Sequence, residues 1–144
     1  MIDTYTVAAY WLRVHLGKVA EAEQFLRDGL RANPKSPELL FELGRLYYEN
    51  YKDTGRARNL WGLALRRWQE QEAGKKEPNE FLLEEITSHL GHLEEEAGNL
   101  PKAISYLEVA RKISPNPAAV QQQIDALRQK LAAGGNANPP KSSK

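Results

Sequence analysis

The sequence predicts an all-α chain: a solenoid of about three helix pairs closed by a C-terminal capping helix. Three observations carry that reading. Apolar residues recur at helical spacing along most of the chain, a pattern of small and bulky residues recurs three times, and β-branched residues never alternate over a useful length.

The elements follow in order. Helix 1 is expected over about residues 3–15 and helix 2 over 19–32, after which Asn33-Pro34 breaks the chain. Ser36 is a natural N-cap with Pro37 at the first helical position, opening helix 3 to about Asn50. Thr54 is expected to cap helix 4, which runs over 55–73. A turn, AGKKEPN, follows with Gly74 as a left-handed C-cap. Helix 5, over 79–97, carries Leu82, Ile86, Leu90, Leu93 and Ala97 on one face. Helix 6, over 100–113, repeats the stripe with Ala103, Ile104, Leu107, Ala110 and Ile113. Asn116-Pro117 starts helix 7 with Val120, Ile124, Leu127 and Leu131 inward and Gln122, Gln123, Asp125 and Gln129 outward, the form of a terminal cap. Residues 133–144 hold no bulky apolar side chain and are expected to be disordered.

Three stretches align: GKVAEAEQFLRDGLRANP (17–34), LGRLYYENYKDTGRARNLWGLAL (43–65) and LGHLEEEAGNLPKAISYLEVARKISP (90–115). Each has a small residue after a loop (Ala22, Ala57, Ala103), a bulky one four later (Leu26, Trp61, Leu107) and a small one three beyond (Gly29, Ala64, Ala110). Leu43-Gly44 and Leu90-Gly91 mark the preceding helix in two of them, and Pro34 and Pro115 close two. The pattern resembles the tetratricopeptide repeat, a helix-turn-helix unit in which Gly or Ala lets helices A and B approach and a bulky residue fills the adjoining space. The resemblance implies a right-handed solenoid over residues 1–132, with repeats at about 3–35, 36–73 and 79–115 and a capping helix at 116–132. Departures are specific. Tyr10 stands where the family has Gly, so the first crossing is expected to be wider or shifted by a residue. The second turn, ENYKDTG, has one extra residue, and about 12 residues beyond the repeat period separate the second and third units.

Composition narrows the function. A net charge of +1 over 144 residues gives no footprint for nucleic acid or an acidic membrane. No apolar run reaches the roughly 20 residues of a membrane span, and the N-terminus has no signal-peptide pattern, so no direct membrane insertion is expected. The absence of cysteine removes disulfides and thiolate sites and favours a reducing, cytoplasmic setting. No zinc-protease, phosphate-loop or nucleophile-elbow motif is present, so neither an enzyme nor a cofactor is expected.

The resemblance points instead to a groove lined by the A helices. Its candidate residues are Trp11, with Val7 and Val14, on helix 1; Phe41, Arg45, Tyr48 and Glu49 on helix 3; and His89, His92, Glu95 and Glu96, with Ser88, on helix 5. Each aromatic among them is equally readable as packing between repeats. The family's best-known carboxylate clamp needs basic and amide residues where this chain has Val7, Trp11, Glu42, Glu85 and His89, so binding of a chaperone tail is not carried over. Helix 5 holds six glutamates and no lysine or arginine, while residues 56–76 hold Arg56, Arg58, Arg66, Arg67, Lys75 and Lys76. The two segments are expected to pair, leaving at most an acidic strip for a basic partner. His89 and His92 with one carboxylate fall short of a closed metal site, so no metal is assigned. The expected function is a scaffold that presents a helical groove to a protein or peptide. The alternative is an assembly role, as a segment of a longer solenoid or as a homo-oligomer through the apolar N-terminal helix.

Overall fold

The computed structural model describes residues 2–134, and among these it has seven helices and no strand. Helix α1 is Ile2–Tyr10 and continues into a π-helical turn, Trp11–His15. The others are α2 (Val19–Ala32), α3 (Pro37–Glu49), α4 (Thr54–Glu72), α5 (Glu80–Glu96), α6 (Leu100–Ile113) and α7 (Pro117–Ala132). Two compact units result, one carrying α1–α4 up to Pro78 and one carrying α5–α7 from Asn79. The tail expected at 133–144 is described only at Ala133 and Gly134, and the rest lies outside the described residues.

Four of the helix starts are set by side chains that satisfy free backbone N–H groups. Ser36 accepts from Leu39 N at 3.1 Å, Asn79 from Leu82 N at 3.1 Å and Asn116 from Ala119 N at 3.3 Å. Helix α4 is capped by Asp53 and not by Thr54: the Asp53 carboxylate accepts from Arg56 N at 3.1 Å, and Thr54 is the first helical residue. Gly74 does not take a left-handed conformation, because α4 runs on through Glu72 with Ala73 at its end in an ordinary helical geometry.

The turns inside the three helix pairs share one design. A left-handed residue precedes the N-cap each time: Gly17 at φ 67°, Lys52 at φ 55° and Gly98 at φ 85°. The N-cap N–H then returns to the preceding helix, from Lys18 to Leu12 O (2.7 Å), from Asp53 to Tyr47 O (2.9 Å) and from Asn99 to Glu94 O (2.8 Å). The last closes the six-residue ring of a Schellman turn, while the first two span one residue more. That is where the extra residue of ENYKDTG goes.

In the first unit α1 packs on α2 and α3 on α4, while α3 also touches α1 and α2. Its core joins Ala9, Ala22, Leu26, Leu39, Leu43, Leu46 and Tyr47, flanked by Tyr5, Leu12, Val19, Leu30 and Leu60. The first crossing is shifted by a residue: Ala9 is buried and Tyr10 is exposed. The π turn explains the shift, since its Leu16 N to Trp11 O bond (3.1 Å) absorbs one residue between the crossing and the Gly17 turn. In the second unit α5 packs on α6 and α6 on α7. Leu100, Ala103, Ile104 and Leu107 meet Val120, Ile124 and Leu127, and Gln122, Gln123, Asp125 and Gln129 face outward. The expected stripe of helix 5 is buried except Ala97, which ends the helix and is exposed.

Close approach of A and B helices is the organising contact in the later two pairs. A Cβ on Gly44 would lie 2.4 Å from Trp61 Nε1, and one on Gly91 would lie 3.0 Å from Leu107. Trp61 is fully buried and its indole N–H donates to Phe41 O at 3.0 Å, so the ring is fixed and cannot yield. Gly62, on the next position of the same helix, has nothing within 4 Å of such an atom. Gly44→Ala should therefore destabilise the chain by about 1–3 kcal/mol from overpacking. Gly62→Ala should stabilise it by roughly 0.5–1 kcal/mol through helix propensity and a less flexible unfolded chain. Urea unfolding followed by circular dichroism separates the two. Equal effects of both substitutions would mean that the Gly44–Trp61 contact does not constrain the fold.

Candidate partner-binding surface

Two surfaces gather most of the candidate residues, one in each unit. In the first, α1 and the π turn expose a run of large apolar side chains: Val7 (56% exposed), Tyr10, Trp11 (53%), Val14 and Leu16 (59%). Rings order part of it, since the Trp11 and Tyr10 rings lie 4.1 and 5.7 Å from that of His15. Beside this run, Thr6, Val7 and Tyr10 of α1 and Glu42 of α3 line a groove of about 230 Å³.

The polar side of that surface is an ion network between the π turn and α3. Arg13, itself buried, donates from one terminal nitrogen to Glu49 Oε1 at 2.6 Å and to Asn50 Oδ1 at 3.1 Å. Arg45 reaches the other oxygen of Glu49 at 3.4 Å and Glu42 Oε2 at 3.7 Å. Arg45 and Glu49 thus lie together as the groove reading requires, and both carboxylates are already matched by cations. Phe41 and Tyr48 are placed differently. Phe41 is buried against Trp61 at a ring separation of 6.2 Å, and the half-buried Tyr48 ring lies 5.4 Å from Trp61, so the two aromatics serve the α3–α4 contact.

Two carboxylates in this unit are shifted by their neighbours. Burial pushes Glu49 up, but the hydrogen bond from Arg13 and the charge of Arg45 more than offset it, and the group sits below 4.5. Burial likewise raises Glu23, while hydrogen bonds from Tyr47 (2.5 Å), Arg27 and Tyr51 (3.1 Å) bring it below 4.5. Glu23 lies on α2 and Tyr47 on α3, so the ionised form ties one helix pair to the next.

In the second unit the α5 face Glu84, Ser88, His92 and Glu95 joins Leu107 of α6 and Val120 and Gln123 of α7 around a groove of about 460 Å³. Ser88, His92 and Glu95 of the sequence-derived set therefore come together. Glu84 was absent from that set although it shares their face, four residues before Ser88; helical period alone could have found it. Gln123 could not be found that way, because its place depends on how α7 packs. His89 is half-buried with Nδ1–H donating to Glu85 O at 2.7 Å, and Glu96 lies at the exposed rim, 3.3 Å from His92 Nε2. Three cations of α4 and the turn after it are held by acids close by in sequence: Arg56 by Asp53 (3.5 Å), Arg67 by Glu70 (3.0 Å) and Lys75 by Glu72 (2.8 Å). Among the described residues no three His, Asp or Glu side chains converge to hold a metal ion, and no helix is long and apolar enough to cross a membrane.

Two solved structures share this arrangement of helices. One is the first TPR of Spaghetti (RPAP3) bound to the HSP90 peptide SRMEEVD, with a TM-score of 0.71 and 18% identity over 91% of this chain and 95% of that one. The other is SycD, the type III secretion translocator chaperone of Yersinia enterocolitica, with a TM-score of 0.69 and 13% identity over 91% of this chain and 86% of that one. The fold is that of the tetratricopeptide-repeat solenoid. No family model matches the sequence, and no curated protein does.

The electrostatics of the first unit make a test. Both shifted carboxyls are lowered, so their contribution to stability is complete above 4.5 and is lost as pH falls through their lowered values. The urea midpoint should drop on acidification below 4.5, and Glu23→Gln with Glu49→Gln should lower it at neutral pH and flatten that drop. An unchanged acid limb in the double variant would remove these two groups from the account.

Proposed function

We propose that the chain is a protein-interaction scaffold that holds a peptide or protein partner on its A-helix surfaces and carries out no catalysis itself. The observation that carries this is the run of exposed Val7, Tyr10, Trp11, Val14 and Leu16 beside a groove whose carboxylate, Glu42, is already met by Arg45. A rigid wall of that kind offers apolar area with little further ordering cost, and aromatic anchors dominate such interfaces. The fold supports the reading: one similar structure holds a peptide and the other is a chaperone. The partner chemistry differs from the first of these. That peptide, SRMEEVD, is acidic, whereas the grooves of this chain are lined by Glu42, Glu84 and Glu95. We place the binding contacts at Trp11, Arg45, Glu49, His92 and Glu95, with His89 and Glu96 at the rim and Phe41 and Tyr48 as the packing behind Arg45.

A second reading rests on the same exposed run. Val7, Trp11 and Val14 are spaced four and three apart, so they form one apolar stripe that a second copy of the chain would cover. Two measurements decide between them. Peptides selected from a displayed random library should lose about 2 kcal/mol of binding, roughly 30-fold, in Trp11→Ser with helical content unchanged. Light scattering over a concentration series should give a monomer. A dimer that Trp11→Glu dissolves would replace the scaffold reading with self-assembly, and failure of the library to yield any binder sensitive to Trp11 would remove it.

A further inference from the structure

The groove of the second unit differs from that of the first in one respect that bears on its ligand. In the first, the lining carboxylate Glu42 is met by Arg45. In the second, Glu84 and Glu95 line the cavity and neither carboxylate has an ion-pair partner among the described residues. None of the described lining residues is a lysine or arginine: they are Glu84, Ser88, His92, Glu95, Leu107, Val120 and Gln123. The floor is apolar, formed by Leu107 and Val120, whose burial comes from the α6–α7 core. An apolar floor between two uncompensated acids is a shape for a particular ligand.

Helical geometry sets its length. Glu84 and Glu95 are eleven residues apart on α5, about 16 Å along the axis at 1.5 Å per residue. An extended chain advances about 3.3 Å per residue, so cations four residues apart stand about 13 Å from each other, and long, flexible lysine or arginine side chains cover the remaining few ångström. Ser88 and His92 lie between the two acids and offer polar partners to the backbone of such a segment.

We propose that the α5–α7 groove binds an extended peptide segment carrying one aliphatic side chain flanked at about two residues on each side by lysine or arginine. The aliphatic group seats on Leu107 and Val120, and the flanking cations meet Glu84 and Glu95. This rests on the scaffold reading and assigns it a ligand class at one of its two surfaces. Steering by the two acids favours approach of cationic segments and disfavours acidic ones, and weakens as salt rises.

The test uses the full chain and a fluorescein-labelled nonapeptide with one central leucine, lysines two residues to either side and alanine elsewhere. A twin carries glutamate in place of each lysine. Fluorescence anisotropy at low salt should show saturable binding of the lysine peptide and none of the twin. Glu84→Gln with Glu95→Gln, both isosteric changes at half-buried groove positions, should weaken binding about tenfold, as expected for two solvent-screened charge pairs, with the circular dichroism unchanged. The gap between wild type and the double variant should shrink at high salt. Equal binding of the twin, an unchanged affinity in the double variant, or no binding of the lysine peptide would each overturn the assignment. Trp11→Ser separates this failure from that of the scaffold reading. Failure of the lysine peptide to bind, while library peptides bind and are lost in Trp11→Ser, leaves the scaffold standing and removes only this ligand.

Discussion

The close contact of an A helix with its B helix is the constraint on which the rest of this structure depends. Gly44 leaves room for the Trp61 ring at a distance that a side chain would violate, and Gly91 for Leu107 at one that a side chain would crowd. Once the backbones are that near, the buried faces of each pair are determined, and so are the positions left over for solvent. Leu39, Leu43, Leu46 and Tyr47 turn inward on α3, and Glu42, Arg45 and Glu49 fall on another side of the same helix. The chemistry left at the surface is thus a remainder of the packing problem. It is whatever the helix period leaves outside the crossing.

That dependence explains which parts of the sequence could be read directly. The crossing residues Gly44, Trp61, Gly91 and Leu107 were legible because sterics forces small residues opposite bulky ones, and three aligned stretches repeat that demand. The caps Ser36 and Asn116 were legible for the same kind of reason, since few side chains reach a free N–H. Where the backbone absorbs a residue locally, alignment loses its hold. The π turn at Trp11–His15 hides one residue, which puts Ala9 in the crossing and leaves Tyr10 exposed. Lys52 takes a left-handed conformation that composition would assign to glycine, and Asp53 caps α4 one residue before the threonine that pattern favours. In each of these the net change is one residue: the repeat comparison registers the displacement at Tyr10 and in ENYKDTG, but not the local backbone geometry that takes it up.

Surface residues divide along another line. Period places Ser88, His92 and Glu95 on one face of α5, and the structure keeps them together around a groove. It does not tell which aromatics are consumed by the neighbouring helix. Phe41 and Tyr48 share their part of α3 with Arg45, yet Trp61 reaches both, because its large ring crosses the space that Gly44 opens. The aromatic that fills a crossing thereby recruits aromatics from the opposing helix, and an aromatic-rich A helix facing a tryptophan is partly core for that reason.

Charge then decides what kind of surface remains. Acidic residues are abundant on the A helices of both units, but their number says little about their availability. Glu49 is held by Arg13 and Arg45 and kept ionised by them, so it fixes the π turn against α3. Glu94 stands three residues past Gly91, as Tyr47 stands three past Gly44. It is buried, and its carboxylate accepts from the Asn99 side chain at 2.7 Å, fastening the α5–α6 turn. Both groups are structural acids. Glu84 and Glu95 are on the same helix as Glu94 but lack such matching, and they face a cavity with an aliphatic floor. An ionised group held without a counter-charge is tolerated at a groove because solvent reaches it, and that same access lets a ligand's cation take the place of water. On the proposed reading, the partner surface of this chain is marked by charge left unmatched, more than by charge density.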